Sequence, residues 1–278
     1  MLKTVLADRM KCKVEQYSGT NELLADLQKR TMRDGGWHEP EFSQWSGIES
    51  REELDKMLRE GYEAPVQKLK DIVKIKASGN GKRITFKNDI VGGNPIVPLA
   101  MMGIPNSMIN IHMKPIKNKV LDVYYDMTCH CGIKAYQIED AGEKVLGAIL
   151  ELEAQGYRFN LYSVNSYADC GDCDILAVKV KDANQPFDLK RMSFSLMHPA
   201  FFRVVGFDWY SKCPISKYKC SYGRALEIDV GETRAREIYK QVFGKNAIFF
   251  QASEIVKGTS KDHIKEVLTN AGEGNDRQ

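Results

Sequence analysis

Residues 126–131, Asp-Met-Thr-Cys-His-Cys, place a carboxylate, a hydroxyl, an imidazole and two thiols directly after the alternating apolar run VLDVYYD. Each of these groups can hold a metal or move a proton, and two metal chemistries compete for them. A hard cation such as magnesium would take oxygen from Asp126 and Thr128, joined by Asp229 from the later run RALEIDVG. Zinc would take thiolates from Cys129, Cys131, Cys170 and Cys173, because a Cys-x-Cys pair and a Cys-x-x-Cys pair can complete a tetrahedron. The same cysteines also read as small hydrophobes at strand ends, or as redox or surface thiols.

Catalytic patterns are scarce. Cys129 or Cys131 could act as a thiolate nucleophile, but neighbours on a chain seldom face each other, so His130 is badly placed as the base. His198 is the next candidate base, although a histidine before Pro199 also reads as a helix end making a backbone contact. The chain has no P-loop, no dinucleotide fingerprint, no G-x-S-x-G and no H-E-x-x-H. Cys213 and Cys220 in CPISKYKC read as a solvated connection, with a second metal knuckle or a basic loop as the alternatives.

The elements that must position these groups are legible from residue 119 onward. KVLDVYYD alternates as a strand, and AYQIEDAGEKVLGAILELEAQ puts Ile138, Ala141, Val145, Ile149 and Leu152 on one helical face. YRFNLYSVNSY and DILAVKVKD are strands joined by the tight ADCGDC, a hairpin. PFDLKRMSFSLM is helical, and RALEIDVG, ETRAREIYKQVFG, NAIFFQAS and SKDHIKEVLTNAG follow as strand, helix, strand and helix. The expected fold is α/β: a mostly parallel sheet with one antiparallel edge hairpin and helices on both faces. Ligands of such sheets sit at the carboxyl ends of the strands. The expected binding edge is therefore Asp126, Thr128, His130, Ser163, Asn165 and Asp229.

Ahead of this domain, at 119–271, lies an N-terminal region at 1–88 that reads as helical. TNELLADLQKRTMRDGG is one helix. REELDKMLREGY is another, opened by a capping box between Ser50 and Glu53 and stopped by Gly61. APVQKLKDIVKIKA continues helically and KRITFKND is a strand. Residues 89–118 carry four of the nine prolines and read as an apolar segment that wraps onto something, and 272–278 form a frayed tail.

Forty basic against 37 acidic residues leave a net charge of +3, too little for an overall field that forces nucleic acid or membrane binding. Local basic stretches, KLKDIVKIK, NGKRITFK and MKPIKNK, keep nucleic acid open as a partner. No apolar run approaches the roughly 18–20 residues that span a bilayer, so no membrane partner is expected. Seven cysteines in a chain whose start is charged too early for an export signal point to a cytoplasmic protein with reduced thiols.

The strand and helix order, with YYDMTCH after the first strand of the sheet, resembles the von Willebrand factor A fold. That family places a metal-binding D-x-S-x-S there; Asp126 and Thr128 match its first two positions, His130 replaces the last serine, and Asp229 resembles its later acid. The resemblance implies a degenerate site, competent to bind protein without a metal. WSGIESREELDKMLREGY, VPLAMMGIPNSMI and LMHPAFFRVVGF are in turn similar to uncharacterised phage-encoded proteins with such a domain. That likeness implies a viral protein in the host cytoplasm, acting in host takeover or counter-defence, with Trp45, Gly47 and Gly61 in structural roles. The expected function is non-enzymatic protein binding. The alternatives are a zinc-stabilised nucleic-acid-binding protein and, third, a cysteine-dependent enzyme.

Overall fold

The structure is a computed structural model that describes residues 2–31, 43, 45–63, 65, 66, 69, 82–115, 120–169, 171–213 and 224–274. Its centre is a seven-stranded mixed sheet. The VLDVYYD run forms β6 (Val120–Asp126), whose even alternation sends Leu121, Val123 and Tyr125 to one face and Tyr124 to the other. A helix, α4 (Ala135–Ala154), leads to β7 (Arg158–Asp169), parallel to β6, and β7 turns back antiparallel into β8 (Asp172–Lys181). On the other side of β6 lies β10 (Ile248–Gln251), also parallel.

The N-terminal region is not wholly helical. It opens with a hairpin, β1 (Leu2–Ala7) and β2 (Met10–Tyr17), and β2 pairs parallel with β8. The β7–β8 hairpin is therefore interior, not at the sheet edge as its sequence implied. Charged residues hide β2 from a pattern reading. Glu15 is buried because Arg30 donates to it at 2.9 and 2.5 Å and the Trp209 indole at 2.6 Å, so charge and burial coexist in one strand.

The two expected N-terminal helices are present as α1 (Thr20–Lys29) and α2 (Arg51–Glu60). Ser50 Oγ accepts from the Glu53 amide at 3.1 Å, and Gly61, at φ 87°, closes α2. A Cβ at Gly61 would lie 2.3 Å from the Lys190 carbonyl carbon, so this glycine sets how closely α2 meets the start of α5 (Leu189–Met197). With α4, α9 (Ala252–Val256) and α10 (Lys261–Gly274), these helices cover one face of the sheet. The opposite face is covered by α7 (Leu226–Val230) and α8 (Glu232–Phe243), around Tyr124, Tyr162 and Val164.

Three further differences from expectation matter for the site. RALEIDVG is not a strand: only Arg224–Ala225 pair, as β9 against the overhanging end of β7, and Leu226–Val230 are helical. After α5 and a buried His198, the chain winds through a π-helical turn (Phe201–Gly206) into α6 (Phe207–Lys212), neither of which periodicity marked. Among the described residues of the apolar 89–118 segment, none up to Asn110 is buried. Its described part lies in a separate small sheet, β3 (Lys82–Asp89), β5 (Met108–Pro115) and the two-residue β4 (Asn94–Pro95), whose loop carries α3 (Val97–Met101). Most of the helical continuation expected after residue 64, Cys170, the CPISKYKC segment beyond Cys213 and residues 275–278 lie outside the described residues.

A candidate binding cleft over a buried acid pair

At the carboxyl end of β6, Asp126 is fully buried. Four donors converge on its carboxylate. The Thr128 amide and hydroxyl reach Oδ1 at 2.9 and 2.5 Å, Ser166 Oγ reaches Oδ2 at 2.6 Å, and the Tyr239 hydroxyl donates to the same oxygen. The three hydroxyl groups also touch one another, with Tyr239 2.8 Å and Thr128 3.1 Å from Ser166 Oγ. The elements fix this geometry. Asp126 is in register with Val164 of β7, so the face it shares is that of Val164 and Ser166, and α8 lays Tyr239 across the same face.

A second buried carboxylate, on α7, lies within electrostatic reach of Asp126. Glu227 is 4% exposed, and neither of its oxygens has a well-formed hydrogen bond among the described residues, although Ser253 lies beside it. Burial, reinforced by the Asp126 charge, pushes its carboxyl up to about 7. Burial also holds the Asp126 carboxyl above its ordinary value, against the opposing pull of its hydrogen bonds. The four donors support the charge of Asp126, and Glu227 has no such support among the described residues. Gln251, in register with Asp126 on β10, and Ser253 add further buried polar atoms that find no partner among the described residues.

Above this pair lies an open cleft of about 530 Å³. Its walls are Trp45, Tyr167, Phe202, Phe207 and Ile228, with Thr128 in its lining and His130 and Arg224 exposed beside it. The Trp45 wall is held by a buried cation. Arg203, 1% exposed in the π-helical turn, donates to the Trp45 and Ile133 carbonyls at 2.5 Å each, and its guanidinium lies 4.4 Å from the indole centroid. The indole N–H in turn donates to the Cys131 carbonyl at 3.0 Å, joining the N-terminal region to the loop after β6.

The expected edge residues divide. Asp126 and Thr128 sit together, and His130 stands exposed at the cleft with Nδ1 accepting from the Gly132 amide. Ser163 and Asn165 are buried; Ser163 donates to the Ser195 carbonyl at 2.6 Å and ties β7 to α5. Asp229 is exposed on α7, and the acid that turns inward is Glu227, two residues earlier. Asp126, Thr128 and Asp229 are thus not gathered into one set.

The cysteines are also separated. Cys129 packs in the core on the α4 face, whereas Cys173 pairs in register with Cys12 in the core on the α8 face, and Cys131 is exposed. Cys170 lies outside the described residues. Among the described residues no three His, Cys, Asp or Glu side chains group as metal ligands. Burial pushes the Cys129 thiol up to about 12, which leaves it protonated at neutral pH. Limited alkylation of the native protein should therefore modify Cys131 while sparing Cys12, Cys129 and Cys173, as peptide mass mapping would show. Equal labelling of Cys129 would refute the burial described. His198, buried between Tyr62 and Phe194, is pushed down to about 4 by desolvation and accepts from the Ala200 amide at 3.2 Å, the helix-end role.

Ser166, Glu227 and Tyr239 were absent from the expected site. Strand parity alone selects Ser166 over Asn165 once β6 and β7 are in register. Tyr239 sits in the buried α8 stripe with Ala235, Ile238 and Val242, a tyrosine whose hydroxyl needs a partner. No helix among the described residues is long and apolar enough to cross a membrane. No curated protein and no solved structure matches the chain. A family model, a domain of unknown function designated DUF7192, matches residues 7–272, and the chain belongs to that family.

Proposed function

We propose that this chain is a non-enzymatic binding protein that takes an apolar side chain or loop of a protein partner into the cleft at the carboxyl edge of its sheet. The observation that carries this reading is the cleft itself, an aromatic and aliphatic pocket whose lining includes the exposed Arg224 and also Thr128, which is hydrogen-bonded to the buried Asp126. Such a composition matches the anchor pockets of protein interfaces, where aromatic residues and arginine carry most of the affinity. The strand order around β6 and the Asp-x-Thr loop support a von Willebrand factor A-like domain, with the acid pair as its altered counterpart of a metal site. A phage origin and a host partner rest on the sequence resemblance alone.

The two other readings are less well supported. A cysteine nucleophile would need a thiolate, and burial keeps Cys129 protonated. A four-cysteine zinc site would need Cys129 and Cys173 on one side of a sheet that separates them.

Ile228 and Arg224 are exposed, so their replacement should leave the fold intact. Ile228→Asp and Arg224→Glu should each lower retention of the partner on immobilised protein by roughly tenfold or more, with unchanged melting temperature. Asp229→Ala should have no effect. Undiminished retention by both cleft variants would place the interface elsewhere.

A further inference from the structure

The small sheet presents a second surface. From Phe86 to Asn110 no residue is buried, although the stretch is built largely of Ile, Val, Leu, Met and Pro. Phe86, Ile90, Val91, Val97, Met101 and Met102 are each more than half exposed, with Met101 at 83%. Isolated exposed apolar residues are ordinary, but a contiguous run of this size marks a surface that something covers.

Charge identifies the cover. Residues 66–119 contain ten Lys and Arg against two Asp and Glu, whereas the rest of the chain is left with 30 against 35. The charge is also layered along the β3–β5 hairpin. Its tip, 90–111, contains no Asp, Glu, Lys or Arg at all. Lys87 stands opposite Asn110 near the top of the strands, Arg83 opposite Lys114 and Lys82 opposite Pro115 towards the base. At about 3.4 Å per residue, Lys87 is roughly 7 Å below the end of β3. Asp89, the acid nearest the tip, is occupied locally, accepting from the Ile90 amide at 2.7 Å.

We propose that this tip inserts into the interfacial layer of an anionic lipid bilayer, with the exposed Lys87 at the level of the phosphates. An apolar, charge-free tip followed by cations is the order that matches a membrane surface. A nucleic acid would call for stacking platforms, and Phe86 is the only Phe, Tyr or Trp in 82–115. Symmetric pairing with a second copy would set two such basic hairpins against each other. An acidic protein groove would put its charges against the tip, where this hairpin has none. The expectation of no membrane partner rests on the lack of a spanning segment, and an interfacial tip is a different mode of attachment.

Flotation of the full chain with vesicles tests this directly. The protein should rise with vesicles of phosphatidylcholine and phosphatidylglycerol mixed two to one, remain at the bottom with phosphatidylcholine alone, and lose binding as salt is added. Met101→Asp combined with Met102→Asp should reduce the partition coefficient at least about tenfold with an unchanged melting curve, since both side chains are exposed in the free protein. Lys87→Glu should weaken binding to anionic vesicles at low salt. The proposal is overturned if the wild-type chain fails to float with anionic vesicles, or if the double variant floats equally well. It is equally overturned if sedimentation shows a dimer that the double variant dissociates, which would make a second copy the occupant.

Discussion

Glu227→Gln should make the protein more stable above pH 7, by roughly 3 kcal/mol at pH 8. The reasoning starts from a carboxyl pushed up to about 7 in the folded state from an ordinary 4.5. Below pH 4.5 both folded and unfolded chains hold the proton, and the group costs nothing. Between pH 4.5 and 7 the unfolded chain releases its proton while the folded chain keeps it, so stability falls as pH rises. Above 7 the folded chain must bury the ionised form beside Asp126, and the cost is complete. Glutamine keeps the shape of the protonated acid and has no charge to lose. Urea denaturation of the two proteins from pH 4 to 8 should therefore give curves that coincide at the acid end and diverge above it. A variant less stable than wild type at pH 8, or one with the same pH slope, would mean that Glu227 has a charge partner that this account lacks.

Removing the other member should do the opposite. Asp126→Ala takes away the acceptor of four donors in a site without solvent, leaving the Thr128 amide and the hydroxyls of Thr128, Ser166 and Tyr239 to find new partners. A loss of roughly 3–5 kcal/mol at pH 5 is expected, the range for breaking one side of a buried charged network. The loss should shrink towards pH 8, because the same substitution removes the negative charge that opposes ionisation of Glu227. Combined with Glu227→Gln, the two effects should fail to add, and that coupling measures the electrostatic interaction between the acids. Additive behaviour across the pH range would separate them.

Both predictions depend on residues that differ in how readily the sequence reveals them. Asp126 and Thr128 are legible, because an alternating apolar run that ends in an acid and a hydroxyl marks the carboxyl end of a buried strand. The layered α/β class and the strands and helices around it follow from the same periodicities. Glu227 is concealed by a short-range ambiguity. In RALEIDVG the apolar residues alternate as in a strand, and that pattern gives Glu227 and Asp229 a common face. Over five residues a helical turn fits as well, and once helical, the two acids point apart, with only Glu227 turned inward. The hairpin at the N-terminus is hidden differently, by ion pairs that let Glu15 be buried in a strand, which no hydrophobic pattern registers.

The 89–118 segment shows the limit of composition. Its apolar content says that it must be covered, and the sequence reading supplies the chain itself as the cover. The two-residue β4 and the proline-led α3 instead hold it as an exposed loop on a separate small sheet. Burial of apolar surface is required by physical chemistry, but whether the cover is the same molecule or another is decided by topology. The cleft raises the same point: its walls come from Trp45, from the π-helical turn, from α6 and from α7, segments far apart in the chain that only the folded sheet brings together.

The central claim, that this cleft receives a protein partner, is tested most directly by placing a photo-crosslinking side chain at Ile228 and, as a control, at Leu6, which is 75% exposed on β1. Irradiation in lysate of the protein's native cell should give a covalent adduct with one protein from position 228 and none from position 6, and excess unmodified chain should compete it away. No adduct from position 228, or the same adducts from both positions, would contradict the account.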